Sequence, residues 1–73
     1  MKYGVVFEPG SDGSVSAYAP DLPGVGVVGE TKADALALIT KAIAWQIEAL
    51  VQDGRPLPPA SSPERFECAV EIS

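Results

Sequence analysis

Gly24-Val25-Gly26-Val27-Val28-Gly29 spells G-x-G-x-x-G just ahead of a helical pattern, so phosphate binding is the first chemistry to test. A dinucleotide site needs a strand before the first glycine, a helix opening inside the glycine run, and an acid on a second strand about 20 residues later. Here Asp21-Leu22-Pro23 precedes the run, residues 25–28 read as a strand inside it, and the position about 20 residues on falls within a helix. Glycine spacings of this kind are common by chance, and the run is not read as a phosphate site. Glu8, Asp12, Asp21 and Glu30 are a second possibility, because a carboxylate-dependent hydrolase would need Asp21 to meet Glu30 or Glu8 around a metal. Each of three acids has a structural role that explains it more simply. Asp12 suits a turn, Asp21 precedes a tight Pro-Gly turn, and Glu30 stands before a helix N-terminus, where the dipole stabilises negative charge. With no histidine, neither a Ser–His or Cys–His pair nor the usual zinc ligand sets can be assembled. Cys68 falls on the inward face of a strand, the setting of an inert core thiol. No catalytic residue, metal site or cofactor is expected.

The elements that position these residues must come from one unit. A chain of 73 residues is too short to divide into two cores, so residues 1–73 are expected to form a single domain. Its 47% hydrophobic and 21% charged content is that of a globular chain and not a disordered one. A core this small supplies only about 3–5 kcal/mol, and a single cysteine allows no internal disulfide, which leaves oligomerisation as the route to extra stability. Ten acids against five cations give a net charge of -5. That balance disfavours direct nucleic-acid binding, since Lys2, Lys32, Lys41, Arg55 and Arg65 are scattered, and favours a basic protein partner. No apolar run approaches the roughly 18 residues of a membrane span, and no signal-peptide pattern opens the chain, so a cytoplasmic protein is expected.

Residues 2–8 alternate, with Tyr3, Val5 and Phe7 against Gly4, Val6 and Glu8, which predicts a strand. Residues 9–13, ending in Asp12-Gly13, are hairpin-loop chemistry. Residues 14–19 alternate again until Pro20 ends the pattern and Pro23-Gly24 turns the chain. Residues 25–28 form a third short strand, in which Gly26 would mark a bulge or a close backbone approach. Thr31 is a good N-cap with Asp34 in the capping-box position, and residues 32–53 contain no glycine or proline. One helix is predicted there, stopped by Gly54 at C′ and by Pro56. Residues 54–63 read as an extended proline-rich connection, and residues 64–73 as a last strand with Phe66, Cys68, Val70 and Ile72 inward. The order is β-β-β-α-β, an α+β fold with an antiparallel-rich sheet backed by one long helix.

At 100° per residue, Leu36, Ile39, Ile43, Ile47 and Leu50 make the stripe expected on the sheet. Leu38, Ala42, Trp45 and Ala49 make a second apolar stripe on nearly the opposite side, leaving only Asp34, Lys41, Glu48 and Gln52 clearly polar. Trp45 could lie against a loop of its own chain. The favoured reading is a protein–protein contact, for a homo-oligomer or a foreign partner, because a helix on a sheet has few other layers to cover its back.

Asp12-Gly13, Ala19-Pro20-Asp21-Leu22-Pro23-Gly24, Gly29-Glu30-Thr31 with Asp34-Ala35, and Asp53-Gly54-Arg55-Pro56-Leu57-Pro58 together resemble the HicB antitoxin family across nearly the whole chain. The family pattern runs acid-Gly, then Pro-Asp-Leu-Pro-Gly, then Gly-acid-Thr-x-x-Glu-Ala, a helix, and a Gly-x-x-[Ile/Leu]-Pro segment. Asp34 stands where glutamate is more usual and keeps the capping role. The resemblance implies a fold like a truncated ribonuclease H domain without that enzyme's acid cluster, and assembly as a dimer or tetramer. It also implies a partner, a small basic HicA toxin that cleaves messenger RNA and is neutralised when its active site is covered. Full antitoxins similar to this chain carry a C-terminal helix-turn-helix or ribbon-helix-helix module. This chain ends at its last strand, so autorepression by it is not expected. The alternative is a solitary homo-oligomeric regulatory or small-molecule-binding module with no toxin partner.

Overall fold

Alternating side chains and two glycine-bearing turns build three consecutive antiparallel strands, and a capped helix then carries the chain across to a fourth. In the computed structural model, which describes residues 2–59, 66 and 68–71, these are β1 (Lys2–Pro9), β2 (Val15–Tyr18), β3 (Gly26–Gly29), α1 (Lys32–Gln52) and β4 (Cys68–Glu71). The sheet order is β3-β2-β1-β4, antiparallel throughout. Glu64, Arg65, Glu67, Ile72 and Ser73, assigned to the last strand from sequence, lie outside the described residues.

The first hairpin closes through Gly10 N–H to Ser14 O at 2.7 Å, with Pro9 opposite Val15. Within the loop, the Ser14 hydroxyl and N–H both donate to Asp12 Oδ1, at 2.6 and 3.1 Å. This Asx-type arrangement is the turn role expected of Asp12.

The second connection consists of two successive turns. Leu22 N–H donates to Ala19 O at 3.0 Å and Val25 N–H to Leu22 O at 3.2 Å. Pro23 supplies the fixed φ of the second turn, and Gly24, at φ 84°, supplies the positive φ that its third residue requires. Val25 is occupied in closing this loop through its own N–H and C=O, so β3 begins one residue later than the alternation suggests.

Gly26 marks neither a bulge nor a close approach. It pairs in register with Tyr18, and a Cβ there would meet only ordinary van der Waals neighbours. The close approach is at Gly29, where a Cβ would lie 2.5 Å from Ala35 N and 2.9 Å from Ala35 Cα. The end of β3 can pass this near the first turn of α1 only without a side chain, and that contact sets where the helix sits on the sheet.

Both helix ends follow their local signals. Asp34 N–H donates to Thr31 Oγ1 at 3.1 Å, and Thr31 is extended, as an N-cap requires. At the far end Gly54 has φ 70°, with Gly54 N–H bonded to Val51 O and Arg55 N–H to Leu50 O, so a left-handed residue ends the helix and satisfies its last carbonyls.

The core lies between α1 and one face of the sheet. Tyr3, Val5 and Val70 from β1 and β4, Ala17 and Ala19 from β2 and its exit, Leu22 and Val25 from the turn loop, and Ala35, Ile39, Ile43 and Ile47 from α1 are all buried. Leu22 is nearly inaccessible, so the Pro-Asp-Leu-Pro-Gly loop inserts an apolar plug into the core. Phe66 departs from the expected alternation. A Cβ on Gly4 would run into its ring, and Gly4 points away from Tyr3 and Val5, so Phe66 covers Gly4 on the sheet face opposite the helix. Position 66 lies before the regular pairing of β4 begins at Cys68, which releases it from the alternation that holds Cys68 and Val70 on the helix side.

Candidate interaction surface

The helix is turned slightly on the sheet relative to the expected stripe. Ala35, tight against Gly29, is fully buried with Ile39 and Ile43, whereas Leu36 and Leu50 are only half-buried. The second stripe therefore lies on one flank of α1, roughly a quarter turn from the buried face, and not on its back. Ala42 forms the shoulder of this flank, half-buried and packed against the core. Leu38 is 43% and Trp45 75% exposed, and Ala49 is exposed. The stripe therefore presents a large indole to solvent. Isolated exposed leucines are ordinary, whereas contiguous apolar surface centred on an aromatic is the kind of surface on which protein contacts form.

The neighbours of α1 identify the side on which this flank lies. Leu38 lines a shallow groove with Val28, Gly29 and Glu30 at the end of β3. Thr40, Ala44, Ile47 and Val51 line another with Glu71 of β4. The Leu38–Trp45 flank is thus on the β3 side of the helix, next to a sheet edge. Val28, 63% exposed, adds apolar surface at that edge. Sequence reasoning missed Val28, although two adjacent valines in a strand must place one side chain on each face.

The acidic candidates do not converge. Asp21 lies in the loop after β2, at the end of the sheet where β1 begins, and its charge reaches Tyr3. Glu30 follows β3 at the opposite end, beyond the Val15–Gly29 pair. Glu8 lies near that end too, on the face away from the helix, where Tyr18 Oη is 3.4 Å from Glu8 Oε1. Among the described residues no group of three metal-ligating side chains comes together. The glycine run is divided between a turn (Gly24), a strand (Gly26) and the approach to α1 (Gly29), so it forms no phosphate cradle. Cys68 is a half-buried free thiol beside Val5. No helix among the described residues is long and apolar enough to cross a membrane.

The remaining sequence signals have structural roles. The Gly54–Pro58 segment is tied to β1 by Tyr3, whose hydroxyl donates to Pro58 O at 2.8 Å. Burial pushes the Tyr3 phenol above its ordinary value, and the nearby Asp21 carboxylate adds to the shift. Asp12 is shifted the other way, held below the usual carboxylate range by its hydrogen bonds from Ser14.

Residues 3–72 match the family model described as HicB-like antitoxin of bacterial toxin-antitoxin system. In fold the chain is similar to the N-terminal domain of the Burkholderia pseudomallei antitoxin HicB, with a TM-score of 0.86 at 24% identity over 100% of this chain and 99% of that one. It is likewise similar to the longer antitoxin HicB of the same organism, with a TM-score of 0.83 at 23% identity over 99% of this chain, which spans 63% of that one's length. A chain of a HicA3 and HicB3 toxin–antitoxin complex matches at 36% identity and a TM-score of 0.68, over 89% of this chain and 76% of that one. No curated protein matches.

Proposed function

The chain belongs to the HicB-like antitoxin family, and from that premise we propose that it neutralises a small, basic HicA-type ribonuclease by binding it, without catalysing a reaction itself. The family match over residues 3–72 carries this reading, and the complex formed by its 36%-identical relative with a HicA toxin supports it. The surface chemistry agrees. The net charge is -5, and Glu8, Asp12, Glu30, Asp34, Glu48 and Asp53 are exposed around the fold, so a basic partner is drawn in and phosphate backbones are repelled. Such an antitoxin works by occlusion: it need only bury the ribonuclease's active site, and it needs no reactive group of its own. The alternative of a solitary regulatory or small-molecule-binding module has no specific observation in its favour, since the concave sites described are surface grooves.

The test is titration of a purified HicA-type ribonuclease, encoded beside this chain, with the chain itself while RNA cleavage is followed. Cleavage should fall to zero at a fixed stoichiometry, and the two proteins should co-elute on gel filtration. Undiminished cleavage at saturating antitoxin would rule the reading out.

A further inference from the structure

We infer that the outer edge of β3, with the shallow groove between it and α1, is where the ribonuclease docks, laying an extended basic segment along β3 as a fifth strand. This rests on the toxin-binding reading above and gives that reading a surface. Backbone, charge and spacing each select this occupant.

β3 is an outer strand, whose one strand neighbour among the described residues is β2. Ala19 N–H donates to Val25 O, so the alternation of an antiparallel ladder makes Ala17–Val27 and Val15–Gly29 the hydrogen-bonded pairs. The first hairpin agrees, because the bond from Gly10 N–H to Ser14 O turns Ser16 and Tyr18 toward β1 and so leaves Val15 and Ala17 to β3. The N–H and C=O groups of Gly26 and Val28 therefore point away from the sheet. An incoming strand can bond to them, as in peptide recognition by strand addition. β3 pairs with β2 in continuous register and contains neither a bulge nor a proline, two devices that commonly blunt such an edge.

Charge decides which strand can use it. The groove beside the edge has a volume of about 310 Å³ and is lined by Val28, Gly29, Glu30, Asp34, Ala37 and Leu38. Glu30 and Asp34 are exposed carboxylates, and Lys32, which lies between them in sequence, sits over the Phe7 ring at 5.0 Å from its centroid. A basic segment is attracted here, and a second copy of the acidic chain is not.

Spacing fits an extended segment. Asp34 and Leu38 are about 6 Å apart along the helix axis, and alternate side chains of a strand are about 6.8 Å apart. A segment of the form cation-x-apolar sets its cation against Asp34 and Glu30 and its apolar side chain on Leu38, which is 43% exposed. The residue between them meets Val28 on the other face of the sheet, where 63% of that side chain is open.

The test uses the full chain and the HicA-type ribonuclease encoded beside it. Amide exchange of the isotope-labelled chain is read by NMR, alone and in the complex. The Gly26 and Val28 amides should exchange freely in the free chain and about tenfold or more slowly in the complex, whereas Val27, already bonded to β2, should change less. Val28→Pro removes one outward donor and leaves the ladder to β2 intact, so it should weaken toxin binding about tenfold or more while thermal stability is kept. Should that variant not fold, the wild-type exchange decides alone. Glu30→Gln combined with Asp34→Asn should slow association about fivefold and leave dissociation nearly unchanged. Toxin binding with Gly26 and Val28 still exchanging freely, or full affinity in folded Val28→Pro, overturns the inference and leaves the neutralising role standing. Protection that appears in the chain alone and rises with its concentration assigns the edge to a second copy and overturns it too. If wild type does not bind the ribonuclease at all, the proposed function itself fails and the inference falls with it.

Discussion

The hydroxyl of Tyr3, at the start of β1, donates a 2.8 Å hydrogen bond to the carbonyl of Pro58, just beyond the helix. Tyr3 is itself fully buried in the core, so this contact fastens the proline-rich return segment to the middle of the fold. Tyr3→Phe keeps the ring and removes the hydroxyl from a half-buried carbonyl that water can still reach, which costs about 0.5–1.5 kcal/mol. Urea titration at neutral pH should show that loss with an unchanged m-value.

The same phenol links stability to alkaline pH. Its folded-state pKa is raised by burial and by Asp21, above the roughly 10 of an unfolded tyrosine. A raised value means that the folded state holds the proton more tightly. The contribution is therefore fully present below about pH 10 and is lost as pH rises through the folded value. Wild type should lose stability over that window faster than Tyr3→Phe, and the difference between the two urea midpoints should narrow as pH climbs above 10.

Asp12 behaves in the opposite sense. Two hydrogen bonds from Ser14 favour its charged form, so its pKa lies below about 3.9 and its small contribution is present above that value and lost as pH falls. Ser14→Ala removes the hydroxyl donor and keeps the backbone one. Carbon-detected NMR titration of the Asp12 carboxyl should show its pKa rise in the variant, part of the way back to the ordinary value. An unchanged titration would mean that the hydroxyl does not bond to it in solution.

The turns and helix ends were legible in the sequence because their chemistry is local. Asp12-Gly13, Pro23-Gly24, Thr31 and Gly54 each do what a four-residue window predicts. What failed depended on partners far along the chain. Gly26 and Gly29 look alike in sequence, and only the position of Ala35 decides which of them must lack a side chain. Phe66 keeps the parity of Cys68 on paper but precedes the pairing that would enforce it. The apolar flank of α1 was readable as a stripe, but its angle to the sheet was not, because the Gly29–Ala35 contact turns the helix. Val28 escaped notice for a similar reason, since a sheet edge exists only once the strand order is known.

Gly29 is the position at which a minimal change should be most damaging. A methyl group there meets backbone atoms of Ala35, which cannot rotate away as a side chain could. Gly29→Ala must push α1 off β3 or distort its first turn, at a cost of about 1–3 kcal/mol. Gly26→Ala, three residues earlier in the same strand, meets only ordinary contacts and should be nearly neutral. Thermal unfolding of the two variants side by side checks the contrast, and equal losses would refute the assignment of the close approach to Gly29.

Charge should govern how fast a toxin is caught. The chain carries ten acids and five cations, and most of the acids described are exposed. Attraction between exposed charges acts across a screening length of about 8 Å at physiological salt and about 3 Å at 1 M. Association with a basic ribonuclease should accordingly slow by tenfold or more between low and high salt, because complementary charge acts mainly on the encounter. The dissociation rate should change far less, since it depends on contacts already made. Stopped-flow mixing across a salt series separates the two rates. An association rate indifferent to salt would place the toxin on an apolar surface and refute capture by the acidic one.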